Sequence, residues 1–198
     1  LKNCTMKNNL LKSIFLLATT SVVLTSCVQD DDFAIPTINI PIFSDSFETS
    51  WDDWTKVNVT GAQEWRLDTQ FGNPGNCAVM SGFAGGNNVN EDWLISPEID
   101  LTNVSGAKLT FQTASRFAGN LLQIKISSDY TTGNPNAATW TNLSATLDTN
   151  TASYVWTNSG NIDISSFAGE NVRIAFVYTS TSTASTTWEV DNILILKN

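Results

Sequence analysis

Histidine is absent from the 198 residues, and that single absence removes whole classes of chemistry. Ser-His-Asp and Cys-His nucleophilic systems need an imidazole to take the nucleophile's proton, and many zinc sites use it as a ligand. Basic residues are also scarce: ten Lys and Arg stand against nineteen Asp and Glu, a formal charge of −9. With no basic stripe, the chain offers no electrostatic footprint to a phosphate backbone, so nucleic acid is excluded as a partner. Cysteine is limited to Cys4, Cys27 and Cys77. No apolar run approaches the about 20 residues that a spanning helix needs.

The longest apolar run, Leu10 to Leu24, is short and rich in hydroxyls; Lys7 and Lys12 flank its start, and it leads into Val22-Val23-Leu24-Thr25-Ser26-Cys27. A positive start followed by an apolar middle reads as a secretory signal. A branched residue three places before a cysteine, with small residues between, has the form of a bacterial lipobox. The expected product is a lipoprotein beginning at Cys27, with residues 1–26 as signal peptide and Met6 as its start. Each methylene of the acyl chains contributes about 0.8 kcal/mol in the bilayer, so several chains on Cys27 anchor stably where one binds marginally. Residues 27–41 read as a tether containing Asp30-Asp31-Asp32, Pro36 and Pro41. The acidic run resembles the surface-export tag of some Gram-negative lipoproteins, and its plainer alternative is a solvated linker. The expected location is the outer membrane, lipid-anchored and exposed at the cell surface.

Past Cys27 only seven Lys and Arg face all nineteen acids, a net charge of −12. An anionic leaflet would repel so acidic a domain. With Cys4 removed and Cys27 acylated, Cys77 has no disulfide partner, and within Cys77-Ala78-Val79-Met80 it reads as a buried, inert thiol.

Residues 42–198 have the length of one domain, and their hydrophobic period is two. Leu109 and Phe111 alternate with polar residues, as do Leu122, Ile124 and Ile126, and Val172, Ile174, Phe176 and Tyr178. Further strands are expected at 40–48, 54–59, 64–68, 77–83, 92–95, 140–143, 153–157 and 187–196. Clusters such as Gly72-Asn73-Pro74-Gly75-Asn76 and Gly133-Asn134-Pro135-Asn136 are turns between them. No stretch carries a long amphipathic helix. The expected fold is all-β, a two-sheet antiparallel β-sandwich of the jelly-roll kind.

The ordered series Phe47-Glu48, Trp65, Asp92-Trp93-Leu94-Ile95-Ser96-Pro97-Glu98-Ile99-Asp100-Leu101, Ser127-Ser128-Asp129-Tyr130, Ala175-Phe176-Val177-Tyr178 and Trp188-Glu189-Val190-Asp191-Asn192-Ile193 resembles the choice-of-anchor J domains of bacterial surface proteins. These are similar in turn to the cleaved adhesin domains of gingipain-type haemagglutinins. The resemblance spans about residues 43–197. It implies a non-catalytic jelly-roll module for adhesion or ligand binding, often with structural calcium, shared between an acid near the first strand and one in the last. Glu48 and Asp191 are the matching positions, and Asp45 is a third candidate. Period two in the final strand puts Asp191 on the face of Ile193 and Ile195, where a carboxylate needs a partner; Arg173 is the rival to calcium.

Seven tryptophans offer rings on which sugars stack. Trp93 and Trp188 sit among apolar residues and belong to the core, whereas Trp51, Trp54 and Trp140 adjoin polar, turn-like sequence and are the candidates for an exposed ligand-binding cluster. The favoured function is a non-catalytic, adhesin-like or carbohydrate-binding module for a glycan or a host matrix protein. One alternative is a carboxylate-dependent glycan hydrolase drawing on Glu91, Asp92, Glu98, Asp100, Glu189 or Asp191. The other is a purely structural envelope lipoprotein.

Overall fold

The computed structural model describes residues 39–198; the expectations for Met6, Cys27 and the acidic run lie outside the described residues. Thirteen strands follow in chain order among them. They are β1 (Phe43–Asp45), β2 (Thr55–Thr60), β3 (Arg66–Gly72), β4 (Gly75–Ser81), β5 (Asn90–Ile95), β6 (Ile99–Asp100) and β7 (Ala107–Arg116), then β8 (Gln123–Ser127), β9 (Thr141–Leu143), β10 (Thr157–Asn158), β11 (Ile162–Asp163), β12 (Asn171–Ser180) and β13 (Thr187–Lys197). The only helical turns among the described residues are two of three residues each, Pro135–Ala137 and Ser165–Phe167.

All pairings are antiparallel, in two sheets. One runs β10-β7-β13-β4-β3, with β1 beside β13 and β11 beside β7; the other runs β2-β5-β12-β8-β9, with β6 beside β12. This is the β-sandwich of the jelly-roll kind. The main core lies between the sheets, where Leu109, Phe111, Met80, Trp188, Val190, Ile124, Leu94 and Phe176 are sealed from water. A second apolar cluster lies on the outer face of the β2-β5-β12-β8-β9 sheet. Trp93, Ile95 and Val177 are covered there by the segment that carries Tyr130 and Trp140.

Alternation explains most of the strands, and specific side chains explain where it stops. β1 ends early because Asp45 Oδ1 accepts from the Phe47 amide (2.7 Å) and Phe47 takes a left-handed φ of 59°, which turns the chain out of the sheet. The strand expected at 153–157 shrinks to β10. Asp148 Oδ2 accepts from both Ser115 N (2.7 Å) and Val155 N (3.1 Å), so a carboxylate occupies the place of backbone pairing beside β7.

Asp191 requires a correction. Its register partner in β7 is Gln112, whereas Leu194 pairs with Thr110, so β13 carries one extra residue here, with Asn192 at φ 52°. Such a bulge shifts the alternation by one. Asp191 therefore shares the outer face with Thr187 and Glu189, opposite to Ile193 and Ile195, which point into the core. It is fully buried all the same, because the β3–β4 turn folds over it and donates Asn73 N to its Oδ2 (2.7 Å).

Candidate functional site

The expected aromatic cluster does not assemble. Residues Trp51 to Trp54 form a tight turn, with Trp54 N donating to Trp51 O (3.0 Å), and it swings Trp54 inward. Trp54 is 3% exposed, packs on Phe47 at 5.4 Å between ring centroids, and donates its indole N–H to Asp45 Oδ2 (2.7 Å). It is core, contrary to the expectation of exposure. Trp51 is half-buried under the Lys56 ammonium, 4.2 Å from its ring. Trp140 belongs to the opposite outer cluster, half-buried at 5.1 Å from Trp93 and 5.4 Å from Tyr130, with its N–H given to Pro135 O. Trp188 lies in the core between the sheets and Trp93 in the outer-face cluster, each buried as expected at 1% exposure.

The exposed aromatics that do converge are Phe83, Phe117 and Tyr154, at 59%, 50% and 38% exposure. They line a groove of about 750 Å³ over the outer face of the β13–β4–β3 sheet. Its floor comes from cross-strand rows, since antiparallel partners share a face: Ser81 and Thr187 pair in one row, and Arg66 stands in the next. Loops supply the walls. Asn87 donates to Thr183 O (2.9 Å) and accepts from Ser185 Oγ (2.5 Å), tying the β4–β5 loop with Phe83 to the β12–β13 loop. Phe117 N donates to Thr151 O (3.1 Å), and the Asp148 carboxylate holds Val155, so Tyr154 is brought to the same mouth. The Arg116 guanidinium lies 4.9 Å from the Phe117 ring and 6.0 Å from that of Tyr154. One cation thus orders two aromatic walls. Phe117 sits at φ 70°, a conformation that costs a bulky residue energy and that persists where the surroundings impose it.

The acids fall into three separate places. Glu189, on the groove side, is 5% exposed; burial, then the negative charge of Asp68, pushes it up to about 7. Asp92 faces the interior beside Tyr178, 1% exposed, with neither carboxylate oxygen hydrogen-bonded. Burial, then Glu64 and Glu91, raises it to about 7. Glu91 lies on the other face of β5 and accepts from Trp93 Nε1 (3.0 Å), while Glu98 and Asp100 are exposed elsewhere. Adjacent acids of the sequence are thus split between faces and layers. Cys77 is inert: burial, then Glu189, Asp68 and Asp191, pushes its thiol up to about 12.

The third place is the candidate metal position. Asp191 accepts from Asn73 N and, through Oδ1, from Asn192 N (2.6 Å). Burial raises it to about 6 against the pull of those amides, with Glu48 and then Asp45 adding repulsion. Arg173 does not pair with it; its guanidinium donates to Ser96 O (3.0 Å) in the other sheet. Glu48 Oε1 accepts from Asn76 N (2.7 Å), and its carboxylate lies where a Cβ on Gly75, at φ 80°, would sit. Asp45, Glu48 and Asn192 line one hollow of about 300 Å³. Among the described residues no group of three or more acids stands close enough to hold a metal unaided. A calcium ion there would take carboxylates together with backbone and amide oxygens, which the hollow has.

The fold is shared with solved structures of low identity. The K3 cleaved adhesin domain of Lys-gingipain from Porphyromonas gingivalis W83 is similar with a TM-score of 0.57 and 18% identity, over 80% of this chain and 100% of that one. The K1 cleaved adhesin domain gives 0.55 and 20%, over 79% and 98%. The family 11 carbohydrate-binding module from Clostridium thermocellum gives 0.49 and 16%, over 78% and 93%. At these identities the likeness to the two adhesin domains is one of fold. No curated protein matches the chain. Residues 47–197, nearly the whole sandwich with its groove, match a domain of unknown function, and the chain belongs to that family, DUF5017.

Proposed function

We propose that this protein is an outer-membrane lipoprotein, anchored through Cys27 and exposed at the cell surface, whose sandwich binds glycans non-catalytically in the Phe83–Phe117–Tyr154 groove. One observation carries the reading. Three large aromatics, from three loops far apart in sequence, stand exposed around a single concavity, and one of them is held at a left-handed φ. A soluble domain seldom leaves such surface in water without use, and a partly apolar concavity with a few polar groups is the default ligand site. Flat rings stack on the C–H faces of sugars, while Gln63, Asn87 and Ser81, which also line the groove, supply hydrogen-bonding groups for hydroxyls. The adhesin-domain fold and the expected relation to choice-of-anchor J modules agree with this role.

The test is a glycan array with the wild-type chain, Phe117→Ala and Tyr154→Ala. Binding that either substitution lowers at least tenfold supports the reading, and binding that survives both overturns it. A structural calcium shared by Asp191 with Asp45 and Glu48, the two acids that line the hollow, is part of the same proposal. It is supported by the repulsion that Glu48 and Asp45 exert on the buried Asp191, with no cation among the described residues paired to any of the three.

A further inference from the structure

Among the polar side chains that line the groove, Gln63 has one end of its amide left over. Asn87 already donates from one end of its amide and accepts at the other within the protein, and Ser81 Oγ accepts from Phe83 N (3.3 Å) and Thr187 Oγ1 (2.9 Å). Gln63 hangs on Asn90, which is 2% exposed. Its backbone N–H donates to Asn90 Oδ1 (3.4 Å), and its Oε1 accepts from Asn90 Nδ2 (3.1 Å). From the other side Asn58 Nδ2 donates to the Gln63 carbonyl (3.2 Å). Gln63 Nε2 donates to nothing among the described residues.

The bonding pattern fixes the way both amides point. A backbone N–H can only donate, so the Asn90 atom that meets Gln63 N is its oxygen; the other atom faces the Asn88 carbonyl (3.2 Å), which can only accept, and is therefore the nitrogen. With that nitrogen donating to Gln63, the Gln63 atom facing it is the oxygen, and the Gln63 NH2 group is turned away from Asn90. The chain is also pressed against this pair: Gly61, at φ 105°, runs so close that a Cβ on it would overlap Asn90 Oδ1. A donor held in place before binding needs no ordering by the ligand, and a ligand without an acceptor at that point leaves the donor unpaired. Resting on the glycan reading above, we infer that Gln63 is a specificity-determining contact of the groove, donating through Nε2 to an acceptor oxygen of the bound sugar, with Asn90 as the residue that positions it.

The full chain in detergent micelles, as wild type, Gln63→Glu, Gln63→Ala and Phe117→Ala, is titrated by calorimetry with xylan, galactan, mannan, mixed-linkage glucan and chitin oligosaccharides. Gln63→Glu keeps the shape and an oxygen for Asn90 Nδ2, and puts an acceptor where the donor was, so a merely structural role of Gln63 would survive it. The expected result at pH 7 is binding weakened at least tenfold in Gln63→Glu, with no fall in melting temperature. Protonating the introduced carboxyl restores a donor, so the gap to wild type should narrow at least threefold as the pH is lowered to about 4.5, close to the ordinary glutamate range. Gln63→Ala, which has neither group, should be weak at both pH values. Binding within twofold of wild type in Gln63→Glu at pH 7, while Phe117→Ala abolishes it, overturns the role of Gln63 and leaves the glycan site standing. A loss in Gln63→Glu that is the same at both pH values overturns the donor role. If no probe binds, or Phe117→Ala binds normally, the glycan reading fails and this inference falls with it.

Discussion

Replacing Asp92 by Asn should flatten the pH dependence of stability, because this carboxyl is buried between the sheets with both oxygens unpartnered. Its ordinary value of 3.8 rises to about 7, chiefly through desolvation, with Glu64 and then Glu91 adding like charge. The folded chain therefore keeps a proton that the unfolded chain releases from about pH 4 upward. Stability falls as pH rises through that interval and levels off above about 7, the opposite of an ion-paired aspartate. A rise of about three units corresponds to about 4 kcal/mol lost between pH 4 and pH 8, at about 1.4 kcal/mol per unit. Against the ~5–15 kcal/mol that holds an ordinary domain together, that is a large fraction. An amide of the same shape carries no charge at any pH, so Asp92→Asn should match the wild type near pH 4 and exceed it by about 4 kcal/mol at pH 8. Equilibrium guanidinium unfolding of residues 39–198 at both pH values gives the difference directly. Glu189 and Asp191 are shifted the same way and leave a slope in both proteins, so the readout is the gap between the two profiles. Parallel profiles would refute the reasoning and mean that water or a partner reaches Asp92.

Millimolar calcium should raise the melting temperature of residues 39–198 by mass action on the native state, and Asp191→Ala should remove the increment; equal melting in calcium and in EGTA sinks the metal proposal. Cys27→Ala should release the protein from the membrane fraction, with no change in the melting of the sandwich, and persistent outer-membrane fractionation of that variant would count against the lipid anchor.

The sandwich was legible because burial writes itself along a strand with period two. Leu109 and Phe111, Leu122 to Ile126, and Val172 to Tyr178 each place one face between the sheets, whatever the neighbours are. Trp93 and Trp188 could be assigned to buried positions for the same reason, since their flanking residues are apolar. What alternation could not supply is the point at which it slips. The extra residue at Asn192 turns Asp191 to the outer face, and only the register against Gln112 and Thr110 reveals it. Nor could polar flanking sequence tell exposure from a tight turn. Asp52 and Asp53 made Trp54 look solvated, yet the Trp51–Trp54 turn and the Asp45 acceptor bury it. The groove was the least legible feature. Phe83, Phe117 and Tyr154 are unremarkable singly, and each follows or precedes a strand by a residue or a few. They meet only because Asp148 holds the Tyr154 segment beside β7, Asn87 ties two loops together, and Arg116 lies on two rings. The sequence by itself determined the alternation, the acidity and the lack of imidazole chemistry, which are properties of single residues and their spacing. Which acids lose their water and which rings share one concavity depends on contacts between residues far apart in the chain, so only the tertiary structure decided them.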